Sequence, residues 1–385
     1  LKKADDLFKS LAFMDAAKAY DEYLEDVKQP SVQTLKNAGD SYYKINDNRN
    51  ALKWYQKLYE IEGNGLSDDY FLRYIQSLKG VMDYGKADVL IRARLNSKGD
   101  QKEIERYMYQ KNYNDSLAKE KSLYTTKNLD INTDQSDFGT TFYGNKIVFT
   151  SSREDGNAKE KLYTWNKQHF LNLYVGERNL VNGDIFNSTL FLKDIMTKYH
   201  EATATFSPDL KTIYYTTNIV KKNKLTLDES RTNNFQIIKG KIEDGKLVNS
   251  ESVFFNSKDY SVGHPSLSED GKWLFFASDI PGGYGETDLY VVKIAEDGTM
   301  GSPQNLGPKV NTIGNDLFPF FRNGILYFSS DGHYGWGDLD VYQTTFSEGL
   351  NFTTPQNLGS PINSNKDDFA YIVDATDSYG YVSSN

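Results

Sequence analysis

The sequence predicts a multidomain chain, an α-helical repeat followed by an all-β propeller, and three observations carry that prediction. The residues Pro-Gln-Asn-Leu-Gly stand at 303–307 and again at 355–359, 52 positions apart. Their surroundings repeat with them. "LYFSSDGHYGWGDLDVY" (Leu326 to Tyr342) echoes "LFFASDIPGGYGETDLYVV" (Leu274 to Val292), and Phe276 and Phe328 are again 52 apart. A period of that size, rich in β-formers and Gly/Asp turns, marks a circular array of four-stranded blades. In the first hundred residues Gly and Pro are sparse instead, and Ala16, Ala51 and Ala87 recur 35 and 36 residues apart.

Those alanines align "FMDAAKAY" (Phe13 to Tyr20), "NRNALKWY" (Asn48 to Tyr55) and "YGKADVLI" (Tyr84 to Ile91). Their spacing is close to the period of about 34 residues of tetratricopeptide (TPR) repeats. Around Ala51, the residues Leu35, Ala38, Gly39, Tyr42 and Tyr43 fall on the first helix of a hairpin, Tyr55 and Leu58 on the second. Small residues let paired helices approach, and large aromatics fill the groove to the next pair. The expectation is a TPR-like α-solenoid over residues 1–112: three helical hairpins and a capping helix near Asp100–Gln110. Residues 113–121 read as a short polar linker.

Residues 122–385 read as the propeller. One strand pattern occurs five times, as "IVFTSS", "IYYTTN", "LFFASD", "LYFSSD" and "GYVSSN", with Phe149, Tyr215, Phe276, Phe328 and Val382 aligned. "SPDLK" (Ser207–Lys211), "SEDGK" (Ser268–Lys272) and "RNG" (Arg322–Gly324) make the tight turns that precede three of them. "KNLDINTDQSDFGTTF" (Lys127 to Phe142) parallels the segments after the two QNLG motifs, so Ser122–Asn128 reads as an outer strand of the last blade. Five or six blades are expected, not closed within this chain, because the sequence stops two strands into its fifth blade at Asn385. An unclosed sheet exposes a bare edge, so the native polypeptide is expected to continue. Insertions are expected near Asn157–Asn187 and Lys221–Asn234. The first carries Trp165, Phe170, Leu171 and Tyr174 in loop-like context, together with Leu173, and is the candidate interaction surface. The alternative is an extended hairpin packed on its own blade.

Lys+Arg 44 against Asp+Glu 53 gives a net charge of −9 without a dense basic block, which argues against nucleic acid as a partner. No run of 18 apolar residues offers a transmembrane segment, and the absence of Cys excludes disulfides and thiolate chemistry. The start at Leu1 without an h-region suggests a processed or trimmed product. Four histidines (His169, His200, His264, His333) form no paired-ligand motif, and no nucleophile elbow, Walker loop or dinucleotide fingerprint is present. "GGYGE" (Gly282–Glu286) and "GHYGWG" (Gly332–Gly337) sit between strands and read as turns. Asp331, Asp338 and Asp340 lie close together, as do Asp279, Glu286 and Asp288. Such carboxylates are Ca²⁺-type ligands, but Asp also accepts backbone N–H bonds in recurring hairpins. The turn reading is preferred, and no cofactor, metal or catalytic residue is assigned.

Helical repeats followed by "SSD-G--G-GD-DVY" hairpins and "PQNLG…N[ST]" segments resemble one family over essentially the whole chain. The resemblance is to Bacteroidota periplasmic proteins with TPR repeats and a TolB-like, WD-repeat-like propeller, which continue into an OmpA-like peptidoglycan-binding domain. It implies a periplasmic place at the outer membrane and a role in type IX secretion or gliding motility. Envelope partners would be outer-membrane barrels of the PorP/SprF type or secretion-system components. Residues 1–385 carry no OmpA-like domain, so peptidoglycan binding would need a domain outside them. The function expected is thus a non-enzymatic envelope scaffold. The alternatives are a sensor binding a peptide or glycan on the propeller face, and the gating propeller of a prolyl-oligopeptidase-like hydrolase.

Overall fold

The computed structural model describes residues 1–154, 162–347 and 349–385. Seven α-helices come first: α1 Lys2–Lys9, α2 Phe13–Leu24, α3 Val32–Tyr43, α4 Asn48–Glu62, α5 Asp68–Gly80, α6 Tyr84–Lys98 and α7 Gln101–Leu117. Asp47, Asp83 and Asp100 each cap the next helix by accepting a backbone N–H. Ala16, Ala51 and Ala87 are all buried where helices meet. At Gly39 a Cβ would lie 2.4 Å from a Tyr55 ring carbon, so only glycine lets α3 and α4 approach this closely. The helix α7 runs to Leu117, so most of the expected linker is helical. The reason is packing, since Gln110 and Asn114, one turn apart, are both buried against the propeller.

Four blades follow, three of four strands and one of five. Blade one is β1 Asp137–Tyr143, β2 Lys146–Ser151, β3 Asn172–Arg178 and β4 Ile185–Leu190. Blade two is β5 Glu201–Phe206, β6 Thr212–Asn218, β9 Phe235–Glu243 and β10 Lys246–Ser252, interrupted by a small hairpin, β7 Val220–Lys221 with β8 Lys224–Leu225. Blade three is β11 Val262–Leu267, β12 Trp273–Ser278, β13 Asp288–Lys293 and β14 Gln304–Asn305. Blade four is β15 Asp316–Arg322, β16 Ile325–Ser330 and β17 Asp340–Ser347, whose third strand pairs with both β18 Asn351–Phe352 and β19 Gln356–Asn357. A two-stranded sheet, β20 Asp368–Val373 with β21 Gly380–Ser384, lies between blades four and one.

The expected five or six blades are therefore corrected to four complete ones plus this pair. Ser122–Asn128 is not a strand either. An outer strand needs a third strand to bond to, and β20–β21 has none among the described residues. Of the insertions, Lys221–Asn234 holds the β7–β8 hairpin, while residues 172–178 and 185–187 belong to blade-one strands and 157–161 lie outside the described residues.

The repeated motifs hold the ring together. Thr150 Oγ1 accepts from Thr203 N (3.0 Å), Thr216 Oγ1 from His264 N (2.9 Å) and Ser383 Oγ from Gly139 N (3.3 Å). Each is the first hydroxyl of the "TSS", "TTN" and "SSN" motifs, bonded to the inner strand of the next sheet. The Asn six residues beyond each QNLG asparagine works similarly. Asn311 donates to Leu289 O and accepts from Leu289 N, and Asn363 does the same to Val341. These amides extend the third strand's pairing beyond the two-residue outer strand. Asp137, Asp316 and Asp368 open their inner strands and accept from the backbone N four residues earlier, at Thr133, Thr312 and Ser364.

Candidate functional site

The two faces of the propeller are built differently. One carries the long loops between second and third strands, and the helical domain lies on it. Arg73 bridges the parts, donating to Asp40 (2.9 Å) within the helices and to Glu286 (2.6 Å) in the β12–β13 loop. Gln76 donates to Asp331 O, Asn48 to Asp338 and Asn114 to Tyr334 O. Gln110 contacts His333 Nδ1 at 2.9 Å. Lys79 is 4% exposed and faces Asp331, Asp338 and Asp340. Burial lowers its pKa, and burial likewise raises Asp331 to about 6 and Asp340 to about 7. A cavity of about 290 Å³ runs along this seam between Phe71, Leu72 and Ile75 of α5 and His333 and Tyr334 of blade four.

The other face carries the tight turns. There a channel of about 370 Å³ opens at the propeller axis. All five inner strands are bulged beside it. The bulges place Gly139, Thr203, His264, Phe318 and Ala370 around the axis. His264 (φ 53°) and Phe318 (φ 50°) adopt the left-handed conformation there, a cost that the ring geometry imposes. His264 packs on Phe318 with ring centroids 4.0 Å apart, and its Nδ1 lies 3.3 Å from Thr203 Oγ1. Burial lowers its pKa to about 4, so it is a neutral imidazole at pH 7. Phe138, Phe318 and Phe369 meet on the axis, with Phe318 and Phe369 4.9 Å apart. At the mouth, Arg322 pairs with Glu269 (3.6 Å) and lies over the Phe142 ring. An aromatic floor, a neutral imidazole, hydroxyls and one ion pair suit binding a small polar ligand with an apolar face.

The sequence-predicted surface residues are used internally. Trp165 packs edge-on against Phe13 (4.5 Å) and donates to Lys44 O (2.8 Å), tying the β2–β3 loop to the helices. Phe170 packs on Tyr163 and His200, while Leu171 N donates to His200 Nδ1. Tyr174 is buried in blade one, stacked on Phe149. Trp165, Phe170 and Leu171 share one loop, and Tyr174 belongs to the sheet. Of the acidic hairpin residues, Asp288 accepts from Tyr284 N, Gly285 N and Asn305, and Asp340 from Gly337 N, whereas Glu286 and Asp338 accept from Arg73 and Asn48 of the helices. The channel residues were missed. No repeated motif in the sequence marks them.

The fold places the chain in the class of β-propellers carrying a helical domain. No family model matches the sequence, and no curated protein matches it. Among solved structures it is similar to an α-L-arabinofuranosidase from Lactobacillus brevis, with 12% identity and TM-score 0.38 over 65% of this chain and 81% of that one. An endo-arabinase from Bacteroides thetaiotaomicron aligns at 13% identity and TM-score 0.39, over 65% and 88% of the two chains. A puromycin-hydrolyzing peptidase from Mycobacterium tuberculosis aligns at 12% and 0.33, over 61% and 47%. The expectation of a non-enzyme is corrected here: the propellers similar to this chain are named for hydrolase activities. At these identities and TM-scores the likeness concerns fold, and it carries no substrate or catalytic residue to this chain. No helix among the described residues is long and apolar enough to cross a membrane.

Proposed function

We propose that this chain is an interaction platform of the bacterial envelope, in which a TPR-like helical array and the propeller act as one unit. Its place would be the periplasm beside the outer membrane, its partner a barrel of the PorP/SprF type or a secretion-system component. The family resemblance in the repeats supports the place and partner. The observation that carries the platform reading is the asymmetry of the propeller. One face is bonded to the helices through half-buried Arg73 and buried Gln76 and Asn114, which leaves the channel face free to meet a partner. A photo-crosslinking residue at Glu269 or Arg322, read by mass spectrometry in intact cells, tests this. Links to an outer-membrane or secretion protein are expected. Links confined to the helical domain would reverse the assignment of the working face, and none at all would sink it.

The channel favours a second reading, recognition of a peptide end or glycan within about 370 Å³. Aromatic rings beside hydroxyls and a neutral imidazole suit a sugar or a small side chain. Titration with muropeptides, and with His264→Ala as control, tests it. Saturable binding lost in the variant supports it, and no binding to the native protein removes it.

A further inference from the structure

Helices α5, α6 and α7 each give one stripe to the cavity of about 290 Å³ at the seam with blade four. On α5 the positions are Asp68, Phe71, Leu72, Ile75 and Lys79, mostly three or four residues apart and so on one face. They cover about 17 Å of helix, which makes the cavity long rather than round. Phe71, Leu72 and Ile75 form one apolar wall, and Ile91 and Leu95 of α6 form another. At the Asp68 end the charges are paired among themselves. Asp68 holds Arg94 (2.7 Å) and Lys98 (2.6 Å), and Glu103 holds Arg106 (3.6 Å).

The Lys79 end is different. Five polar side chains on the cavity wall are buried: Lys79, Gln110, Thr312, Asp331 and His333. Four of them are hydrogen-bonded, Gln110 to His333 and Tyr334 N, His333 also to Val310 O, Thr312 to Asp316 and Asp331 to Asn315. Lys79 is 4% exposed, yet its ammonium has no hydrogen bond or ion pair among the described residues. Its Nζ lies 5.5 Å from the centre of the Tyr334 ring, which also lines the cavity. Asp331, Asp338 and Asp340 act on it by charge alone, and each accepts from another group, Asn315, Asn48 and Gly337 N. A buried N–H without an acceptor is costly, so this end lacks an oxygen.

We propose that the seam cavity binds an elongated, uncharged molecule with an apolar body and an oxygen acceptor at one end, the class of a straight-chain alcohol, its oxygen on Lys79 Nζ. The charges around Lys79 select against the ionic alternatives. A carboxylate head would meet Asp331, Asp338 and Asp340, and an ammonium head would meet Lys79 itself. A neutral oxygen takes the unused donors without either repulsion, while its chain replaces water along Phe71, Leu72, Ile75, Ile91 and Leu95. This site lies on the face of the propeller opposite the axial channel.

The test titrates the 385-residue protein at pH 8 with 1-octanol, octanoate and octylamine, reading affinity by calorimetry and protection of α5 and α6 by hydrogen exchange. Octanol is expected to bind about tenfold tighter than either ion and to slow exchange in both helices. Lys79→Met keeps the length of the side chain and removes its charge and donors. In that variant octanol should weaken about tenfold and octylamine should tighten about tenfold, because the three carboxylates then stand unopposed. Loss of the cavity would weaken all three ligands, so the gain for the amine isolates the role of the ammonium. Leu95→Trp, which fills the half-buried α6 wall, should weaken octanol about tenfold. If Lys79→Met does not fold, the native ranking and Leu95→Trp decide. The proposal is overturned by no octanol binding to the native protein, by octanoate or octylamine binding as tightly as octanol, or by octanol affinity unchanged in either variant.

Discussion

The seams between blades and the seam between helices and propeller hold buried polar groups by opposite chemistry. Between blades the agents are small hydroxyls, Thr150, Thr216 and Ser383, each making one neutral bond to a neighbouring backbone amide. Under the helices they are long, charged or amide side chains, Arg73, Gln76 and Asn114, each used once. A neutral hydrogen bond contributes roughly 0.5–1.5 kcal/mol, whereas stripping one partner from a buried ion pair costs about 3–5 kcal/mol. The ring repeats one kind of stitch, whereas each seam contact is made by a different side chain. Losing one hydroxyl leaves the ring's other stitches in place; losing Arg73 removes an ion pair between the helices and the β12–β13 loop.

Arg73→Ala is the sharpest way to break that contrast. It removes the partner of Asp40, which also accepts from Tyr55 and Tyr70 in the helical core, and of Glu286 on the propeller. A loss of about 3–5 kcal/mol is expected in urea unfolding, with the single transition splitting into a helical and a propeller one. A single transition with unchanged midpoint would show that the domains are held by other contacts.

The contrast also decides what could be read from the sequence. Ring devices recur, so they surface as motifs: the hydroxyl motifs, the QNLG segments and the alanines of the helices were all legible as repeats. Their roles were less so, because an Asn that grips Leu289 looks like any loop Asn. Seam residues occur once and act across the chain. Arg73 and Glu286 are 213 positions apart, and Trp165 meets Lys44 across 121, so no local pattern announces them. Trp165 therefore read as a free loop aromatic. The channel set, Gly139, Thr203, His264, Phe318 and Ala370, hid for another reason: the five inner strands share no residue type at this bulged position, so no motif marks it.

Acidity acts on both seams. Burial holds Asp331 at about 6 and Asp340 at about 7 beneath the helices, and raises Asp316 to about 8 at a blade junction. Asp338 is raised too, by burial and then by the charge of Asp367. The ordinary value is about 3.9, so the folded chain binds more protons than the unfolded one between pH of about 4 and 8. Stability then falls as pH rises through that window. Buried Lys79, with its pKa lowered, acts in the opposite sense, toward its ordinary value of about 10.4. The urea midpoint is expected to be higher at pH 5 than at pH 8, and Asp340→Asn should flatten the slope. A midpoint that climbs over that range would mean these carboxylates are ionised in the fold.

Within the ring, Thr216→Val leaves His264 N without its acceptor and removes the contact to Thr203 Oγ1. A cost of about 1–3 kcal/mol is expected for that buried, unsatisfied amide, with a single unfolding transition retained. Splitting of the transition would contradict the redundancy of the ring.

Ser329 sharpens the comparison from the other side. It occupies the motif position of Thr150, Thr216 and Ser383, yet its buried Oγ has no hydrogen-bond partner. Ser329→Ala should therefore shift stability by no more than about 0.5 kcal/mol, well under the Thr216→Val effect. The chain already carries alanine at the equivalent position of blade three, Ala277, which is 3% exposed and packed in the core. A loss near that of Thr216→Val would mean that the hydroxyl works through a bonded water rather than a neighbouring amide. It would also make the motif a stitch at every seam. The expected silence of Ser329 confines the stitch to the junctions where an inner-strand amide turns toward it.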